Sequence, residues 1–497
     1  MPRKFPLATR VRTLGLGARV LVAVALAIFV CLQLEMRLAT SVLVGPDEGF
    51  EVAKATLVLD RYKLYEDVWD DQPPLHTYLL SKILRFVPGT MLGPRLLTSA
   101  FGLILLVSVF LLGARISGRS VGALMSFLVL ASPAFLQLAS SCMLEIPALA
   151  VTLAALAVLA SEKRGQGPLA EAIAGVLLGI AFEIKLISIV LLPIAALLLW
   201  QRHQDDGRRA RKTASSVFLV CAVLAATMVA VDLVVCHGNY LLHFRQSWVS
   251  HFGGQRSLGH GSPGEHRFDW AALARNWDLT LPAILGVVIC LRRGLASFLA
   301  AIPALWLAYN LAVFGLHQPW WNYYYVHTAI PLCWCAAIGI EAAWKKARET
   351  RRMAWFAVLG LYTVCSGGWW VDRLYTEVQL VRQSPQTYTC LFLTEMKRYK
   401  PLARWLYAEE PVWAFHSGIP LPPDLAVVVA KRFWSGEFTD ARLVKDLQSY
   451  KPELILLKKD SNPRPFQKLL DAEYAPIYSD GENLLYVLKS IARLPSQ

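Results

Sequence analysis

Long apolar runs separated by short basic clusters set the pattern of this chain. Runs lie near residues 18–38, 92–114, 120–139, 144–160, 169–184, 186–200, 214–235, 278–291, 295–315, 326–343 and 354–371. A helix needs about 20 mostly apolar residues to cross the hydrocarbon, so the pattern predicts about eleven transmembrane helices. The first run follows Arg3, Lys4, Arg10 and Arg12 and reads as a retained anchor rather than a cleaved signal. Residues 169–200 can be one long helix, or two short ones broken at Glu183–Lys185.

The basic clusters decide the orientation. With the N-terminus inside, five clusters fall on the inner side: Arg115 and Arg119; Lys163 and Arg164; Arg202 through Lys212; Arg292 and Arg293; Lys345 through Arg352. That agreement follows the positive-inside bias. It requires two spans within 169–200, because merging them would put the Arg202–Lys212 cluster outside. The reading makes residues 1–17 a cytoplasmic N-terminus and 18–371 the membrane domain. Three large segments lie outside: a first loop 39–91, a second loop 236–277 and the tail 372–497.

Within the first loop, residues 49–61 and 75–86 alternate apolar and polar at near-helical spacing, which predicts two amphipathic stretches at the interface. The tail reads as a small α/β domain. Residues 411–415 read as a strand, 439–450 as an amphipathic helix, 453–459 as a buried strand and 474–489 as a hairpin turning at Asp480-Gly481.

Composition agrees with a membrane protein. Charged residues make up 17% of the 497, against about 25% in soluble domains. The formal net charge of +14 lies mostly in the clusters between apolar runs, since the tail is nearly balanced, 17 Lys+Arg against 15 Asp+Glu. Nucleic acid is therefore not an expected partner, and the lipid bilayer is. The nine cysteines are scattered without a CxxC and read as small apolar residues.

Candidate chemistry concentrates at the outer edge. Asp47-Glu48 is an acidic pair just beyond the first span, costly to place there without a use. A carboxylate in reach of a hydroxyl can take its proton. The plainer alternative is a helix start, with Asp47 as cap and Glu51 adding favourable charge. Glu145 opens the fourth span, either as a second site carboxylate or as a helix-terminal charge. Lys185 lies between two short apolar spans, where it either contacts a phosphate or pairs with a neighbouring acid such as Glu183. The loop 236–277 carries Arg245, Arg256, Arg267 and five histidines, with glycines that would let it order over a ligand. None of its histidine pairs has i,i+4 spacing, so no metal site is predicted there. Trp320, Trp321, Tyr323, Tyr324 and His327 form an aromatic cluster, which suits an interfacial belt or stacking against a sugar.

The order of these pieces carries a resemblance. Asp47-Glu48, then Tyr65 and Asp67, then Gln72-Pro73-Pro74 resemble the first outer loop of the bacterial protein O-mannosyltransferase and aminoarabinose transferase family, within the GT-C glycosyltransferases. Gly93-Pro94-Arg95-Leu96, Ser132-Pro133, Glu145-Ile146-Pro147, Phe182-Glu183-Ile184-Lys185 and Tyr323 through Pro331 follow in family order. The resemblance implies a mainly α GT-C bundle with an extracytoplasmic α/β tail, in a plasma (inner) membrane. It implies an inverting transfer of a hexose or pentose from a polyprenyl-phosphate donor to an acceptor hydroxyl on a protein, lipid or wall glycan. Asp47 matches the family's general base and Glu48 would orient the base or the acceptor. Glu145 matches a second acidic position. Lys185, helped by Arg245 and Arg256, would hold the donor phosphate. Some relatives have Lys where this chain has Gln72, which removes one expected cation. Asp47, Glu48 and Glu145 could hold a divalent metal through oxygen ligands, although none is predicted. A transporter or flippase of lipid-linked sugar is the alternative; its midplane polar sites and repeats are not evident in the sequence.

Overall fold

The computed structural model describes residues 16–161, 167–204, 206–236, 239–249, 266–295, 297–459 and 464–492. Its helices follow the apolar runs. Seven of the eleven predicted spans contain a helix long and apolar enough to cross a membrane: α1 (Leu16–Glu35), α4 (Leu92–Ile116), α8 (Gly167–Ile184), α10 (Arg209–Val235), α12 (Phe298–Leu316), α13 (Tyr325–Thr350) and α14 (Met353–Gln383). The other four runs give shorter or more charged helices. These are α5 (Arg119–Leu130) with the short α6 (Phe135–Ala139), α7 (Glu145–Leu159), α9 (Leu192–Arg202) behind a 3-10 turn at Leu186–Leu191, and α11 (Trp277–Gly294). The first long loop folds into α2 (Glu48–Leu59) and α3 (Leu75–Phe86), at the two amphipathic stretches.

Two local features position the site. Residues 169–200 do break at the expected place. Lys185 is extended, with φ −155° and ψ 126°, between α8 and the 3-10 turn. Further along, α11 and α13 approach backbone to backbone, because Gly286 faces the Cys335 carbonyl and Gly339 faces the Pro282 carbonyl with no room for a Cβ. Small residues at such a crossing let helices pack without a solvent-driven hydrophobic effect.

The tail carries a four-stranded sheet in the order β1-β2-β4-β3. Its strands are β1 (Leu406–Ala408), β2 (Leu454–Lys458), β3 (Tyr474–Ser479) and β4 (Asn483–Leu488). β1 runs parallel to β2, and the other pairs are antiparallel. The helix Asp440–Tyr450 starts at Thr439, whose side chain accepts the Arg442 N–H, and the hairpin turns at 480–482 as expected. The expected strand at 411–415 is instead a helix, Val412–Ser417, and the strand lies earlier, at Leu406–Ala408. Pro411 precedes the helix with φ −60° and no N–H to give to a ladder. A five-residue apolar run has too little length for its period to tell strand from buried helix.

The tail packs on the first long loop. Val42, Leu57, Tyr65 and Trp69 share one apolar core with Leu406, Trp413, Leu454 and Val487. His416 bonds to the Val42 carbonyl at 3.0 Å, and Lys431 pairs with Asp71 at 2.9 Å.

Candidate active site

The loop 45–48 is pinned before it enters α2. Gly45 is pressed against Ser141 and Met143, where a Cβ would lie 2.6 Å from the methionine sulfur. Glu48 is fully buried and is gripped by the Arg95 guanidinium, whose Nε lies 3.2 Å from it. It also accepts the amide N–H groups of Val44 and Cys142. Arg95 in turn donates to the carbonyls of Leu38, Ser41 and Val42. This network ties the end of α1, the start of α2, α4 and the loop before α7 into one knot. The adjacent carboxylates thus divide. Glu48 holds the backbone on which Asp47 stands.

Asp47 caps α2 without a side-chain capping bond. Its carboxylate accepts the Tyr323 hydroxyl and lies within electrostatic reach of Glu145, Lys185 and Glu51. Burial, reinforced by the negative charge of Glu145, raises its pKa to about 6, against the opposing pull of Lys185 and Tyr323. Glu145 opens α7, fully buried, and pairs with the Lys185 ammonium; its second oxygen has no hydrogen-bond partner. The Lys185 ammonium lies over the rings of Tyr323 and Tyr324, 5.2 and 5.5 Å from their centroids. Five predicted site residues, from four separate stretches of chain, therefore meet. The pairing alternative for Lys185 also holds, but the acid is Glu145, not Glu183.

A second buried charge group lies behind Asp47. Lys54 bridges Glu51 at 3.0 Å and Asp70 at 2.8 Å. Asp70 also accepts the Gln72 amide at 3.0 Å, and His76 bonds to the Cys142 carbonyl. Burial raises the Asp70 pKa to about 7 against the attraction of Lys54. Sequence reasoning missed Arg95, Glu51, Lys54, Asp70 and His76 as parts of the site. The available signal was Glu51 and Lys54 three residues apart on a helix, a pair that reads equally well as a solvated face.

The other predicted residues are distributed more widely. Tyr65, at φ 69°, donates its hydroxyl to the Gln72 carbonyl at 2.8 Å. Asp67 accepts the Lys63 amide, and Pro74 is the N-cap of α3. These are turn-forming roles. Trp320 is buried against Phe268 and Phe314, and Trp321 lies against His266. His327 is buried beside Phe314 and Tyr324, within electrostatic reach of Lys185. Arg245 is exposed on the helical segment Phe244–Val249, and Arg256 lies outside the described residues. Of the three carboxylates that could bind a divalent ion, Glu48 and Glu145 are already paired with Arg95 and Lys185.

Comparison with known proteins bears on the fold. Residues 71–234 match the family model described as dolichyl-phosphate-mannose-protein mannosyltransferase. Among solved structures, the chain is similar to ArnT from Cupriavidus metallidurans bound to undecaprenyl phosphate. Identity is 14% and the TM-score 0.67, over 97% of this chain and 99% of that one. The chain has the GT-C glycosyltransferase fold. The apo form of the same ArnT matches at 15% identity and a TM-score of 0.66, over 95% of this chain and 98% of that one. The oligosaccharyltransferase of Archaeoglobus fulgidus matches at 11% identity and a TM-score of 0.60, over 89% of this chain and 69% of that one. No curated protein sequence matches significantly. With its apolar helices and this fold, the chain is a multi-pass membrane protein.

Proposed function

We propose that this GT-C protein transfers a sugar from a polyprenyl-phosphate donor to an acceptor hydroxyl at the outer face of a bacterial plasma membrane. The observation that carries the reading is the meeting of Asp47, Glu145 and Lys185 beneath Tyr323 and Tyr324. In the reaction, the acceptor oxygen attacks the anomeric carbon from the side opposite the phosphate. The bond from that carbon to the phosphate oxygen breaks, and the configuration inverts. The acceptor proton passes to the Asp47 carboxylate, and polyprenyl phosphate leaves with the bonding pair. A base with a pKa near 6 is ionised at neutral pH yet basic enough to take a proton.

Lys185 is the cation for the phosphate. Glu145 and the two tyrosine faces hold the ammonium in place, and fixed positive charge at the leaving oxygens favours the transition state. Arg245, and Arg256 outside the described residues, are the further cations that the second loop offers to the donor phosphate. The similar ArnT structure holds undecaprenyl phosphate, and a similar structure of the archaeal oligosaccharyltransferase AglB holds dolichol-phosphate. Both support a lipid-phosphate donor. The basic clusters support an inside N-terminus and an outside tail.

The test is transfer from a panel of radiolabelled polyprenyl-phosphate sugars by purified wild type and Asp47→Ala, with membrane extract as acceptor. Label moves to an acceptor with wild type and not with the variant. Folded wild type that transfers from no donor, but moves lipid-linked sugar across liposomes, would overturn the enzyme in favour of a flippase.

A further inference from the structure

At the end of α10, Asp232 and Cys236 stand one helical turn apart, and His243 from the following helix Tyr240–His243 meets them. One ligand atom from each lies within 4.8 Å of the others. The His243 Nδ1 is 3.1 Å from the Asp232 carboxylate, and the Cys236 thiol bonds to Asp232. All three side chains are buried. A second, independent observation is Glu183. Its carboxylate is buried with no hydrogen-bond partner on either oxygen, and it interacts electrostatically with both Asp232 and Cys236.

The charge balance of this group is unusual. Among the described residues, no lysine or arginine is paired with Glu183 or Asp232. The Asp232 carboxylate therefore shares one place with a thiol and an imidazole, and the buried Glu183 carboxylate lies within electrostatic reach of it. A buried charge is costly unless it is paired or bound to a metal. A divalent ion removes that cost. The donor set of one sulfur, one nitrogen and carboxylate oxygens suits zinc, which takes four ligands tetrahedrally. Ligand bonds of about 2.0–2.3 Å would place neighbouring donor atoms roughly 3.5 Å apart, so contraction of the trio by about 1 Å completes the site.

We propose that Asp232, Cys236 and His243 bind a structural zinc ion, beside the buried Glu183 carboxylate. The site would join α10 to the segment that carries Gln246. Gln246 bonds to the Asp70 amide and the Tyr65 carbonyl, and the Tyr65 ring stacks on His243 at 5.0 Å. Zinc binding displaces the thiol proton. No redox step is involved. The ion thereby braces the second loop against the first, remote from the Asp47 carboxylate in role.

The experiment uses the full chain, freed of any affinity tag, in detergent or nanodiscs. The protein is stripped with a chelator, then given Zn2+ or Co2+. About one zinc per chain is the expected uptake. Cys236→Ser and His243→Gln should each weaken it at least tenfold. The cobalt form should carry a thiolate-to-cobalt charge-transfer band that Cys236→Ser lacks. Folded wild type that takes up no zinc overturns the proposal, as does zinc held equally well by Cys236→Ser. Should that variant not fold, X-ray absorption of zinc-loaded wild type decides: one sulfur neighbour supports the site, and a shell of nitrogen and oxygen alone overturns it. Metal content is read without sugar transfer, so this result is separable from the proposed activity.

Discussion

The Lys185 ammonium rests on the Glu145 carboxylate across 40 residues of sequence, under the faces of Tyr323 and Tyr324. A lone lysine at a helix break is costly in a bilayer, and this pairing makes it tolerable. On the proposed mechanism, pairing also keeps the cation ready, because an incoming phosphate would share the ammonium with Glu145. Lys185→Met should reduce transfer about 10²- to 10³-fold, the range for losing one preorganised charge at a transition state. Lys185→Arg should retain more activity than Lys185→Met. Initial rates with saturating donor, on protein matched for thermal stability, check this.

On the proposed mechanism, Asp47 sets the acid limb of the pH profile. It must be deprotonated to act as base, so the rate should fall below pH 6 and level off above it, given a pKa of about 6. Two variants should move the limb in opposite directions. Tyr323→Phe removes a hydrogen bond that lowers the pKa, so the limb moves to higher pH. Glu145→Gln removes a charge that raises it, so the limb moves to lower pH. Asp47→Asn should lose the limb together with about 10²- to 10⁴-fold of rate, the usual share of a general base. A kcat/KM profile from pH 5 to 8 for the three variants checks the signs.

The helices were legible because a bilayer demands long apolar runs, and the break at Lys185 was legible because a charge interrupted one. The meeting of Asp47 and Lys185 was reached through the order of family-like motifs; local chemistry alone left a cap for the first and an acidic partner for the second. The buried group Glu51, Lys54 and Asp70 was not legible. Charged residues three apart on an amphipathic helix look solvated until other parts of the chain close over them, as Asp70 and Thr77 of the same loop do here. The Asp232–Cys236 pair escaped for a different reason. The spacing was sought among histidines, whereas a carboxylate and a thiol hold it.

Glu48 and Arg95 make a stability prediction. Removing one partner of a fully buried ion pair leaves the other charge uncompensated, at a cost of about 3–5 kcal/mol. Arg95→Met and Glu48→Gln should therefore each lower the unfolding temperature in detergent substantially. The double variant should lose less than the sum of the two, because no unpaired charge remains. Additive losses in that double-mutant cycle would remove Glu48 from its holding role.

Gly49 tests whether the tail positions the catalytic loop. A Cβ there would lie 2.8 Å from the Val412 amide nitrogen, a backbone atom that cannot swing aside. Gly49→Ala must therefore push the helix Val412–Ser417 away from α2, at a cost of about 1–3 kcal/mol for overpacking. Asp47 caps that same helix α2 two residues earlier, so the displacement reaches the base directly. Transfer should fall by more than the stability loss explains at a temperature where the variant is fully folded. Gly367→Ala on α14 is the matched control, since nothing lies within 4 Å of its added Cβ and alanine is the better helix former. It should leave rate and unfolding temperature unchanged or slightly raised. Equal behaviour of the two variants would mean that the tail does not steer Asp47.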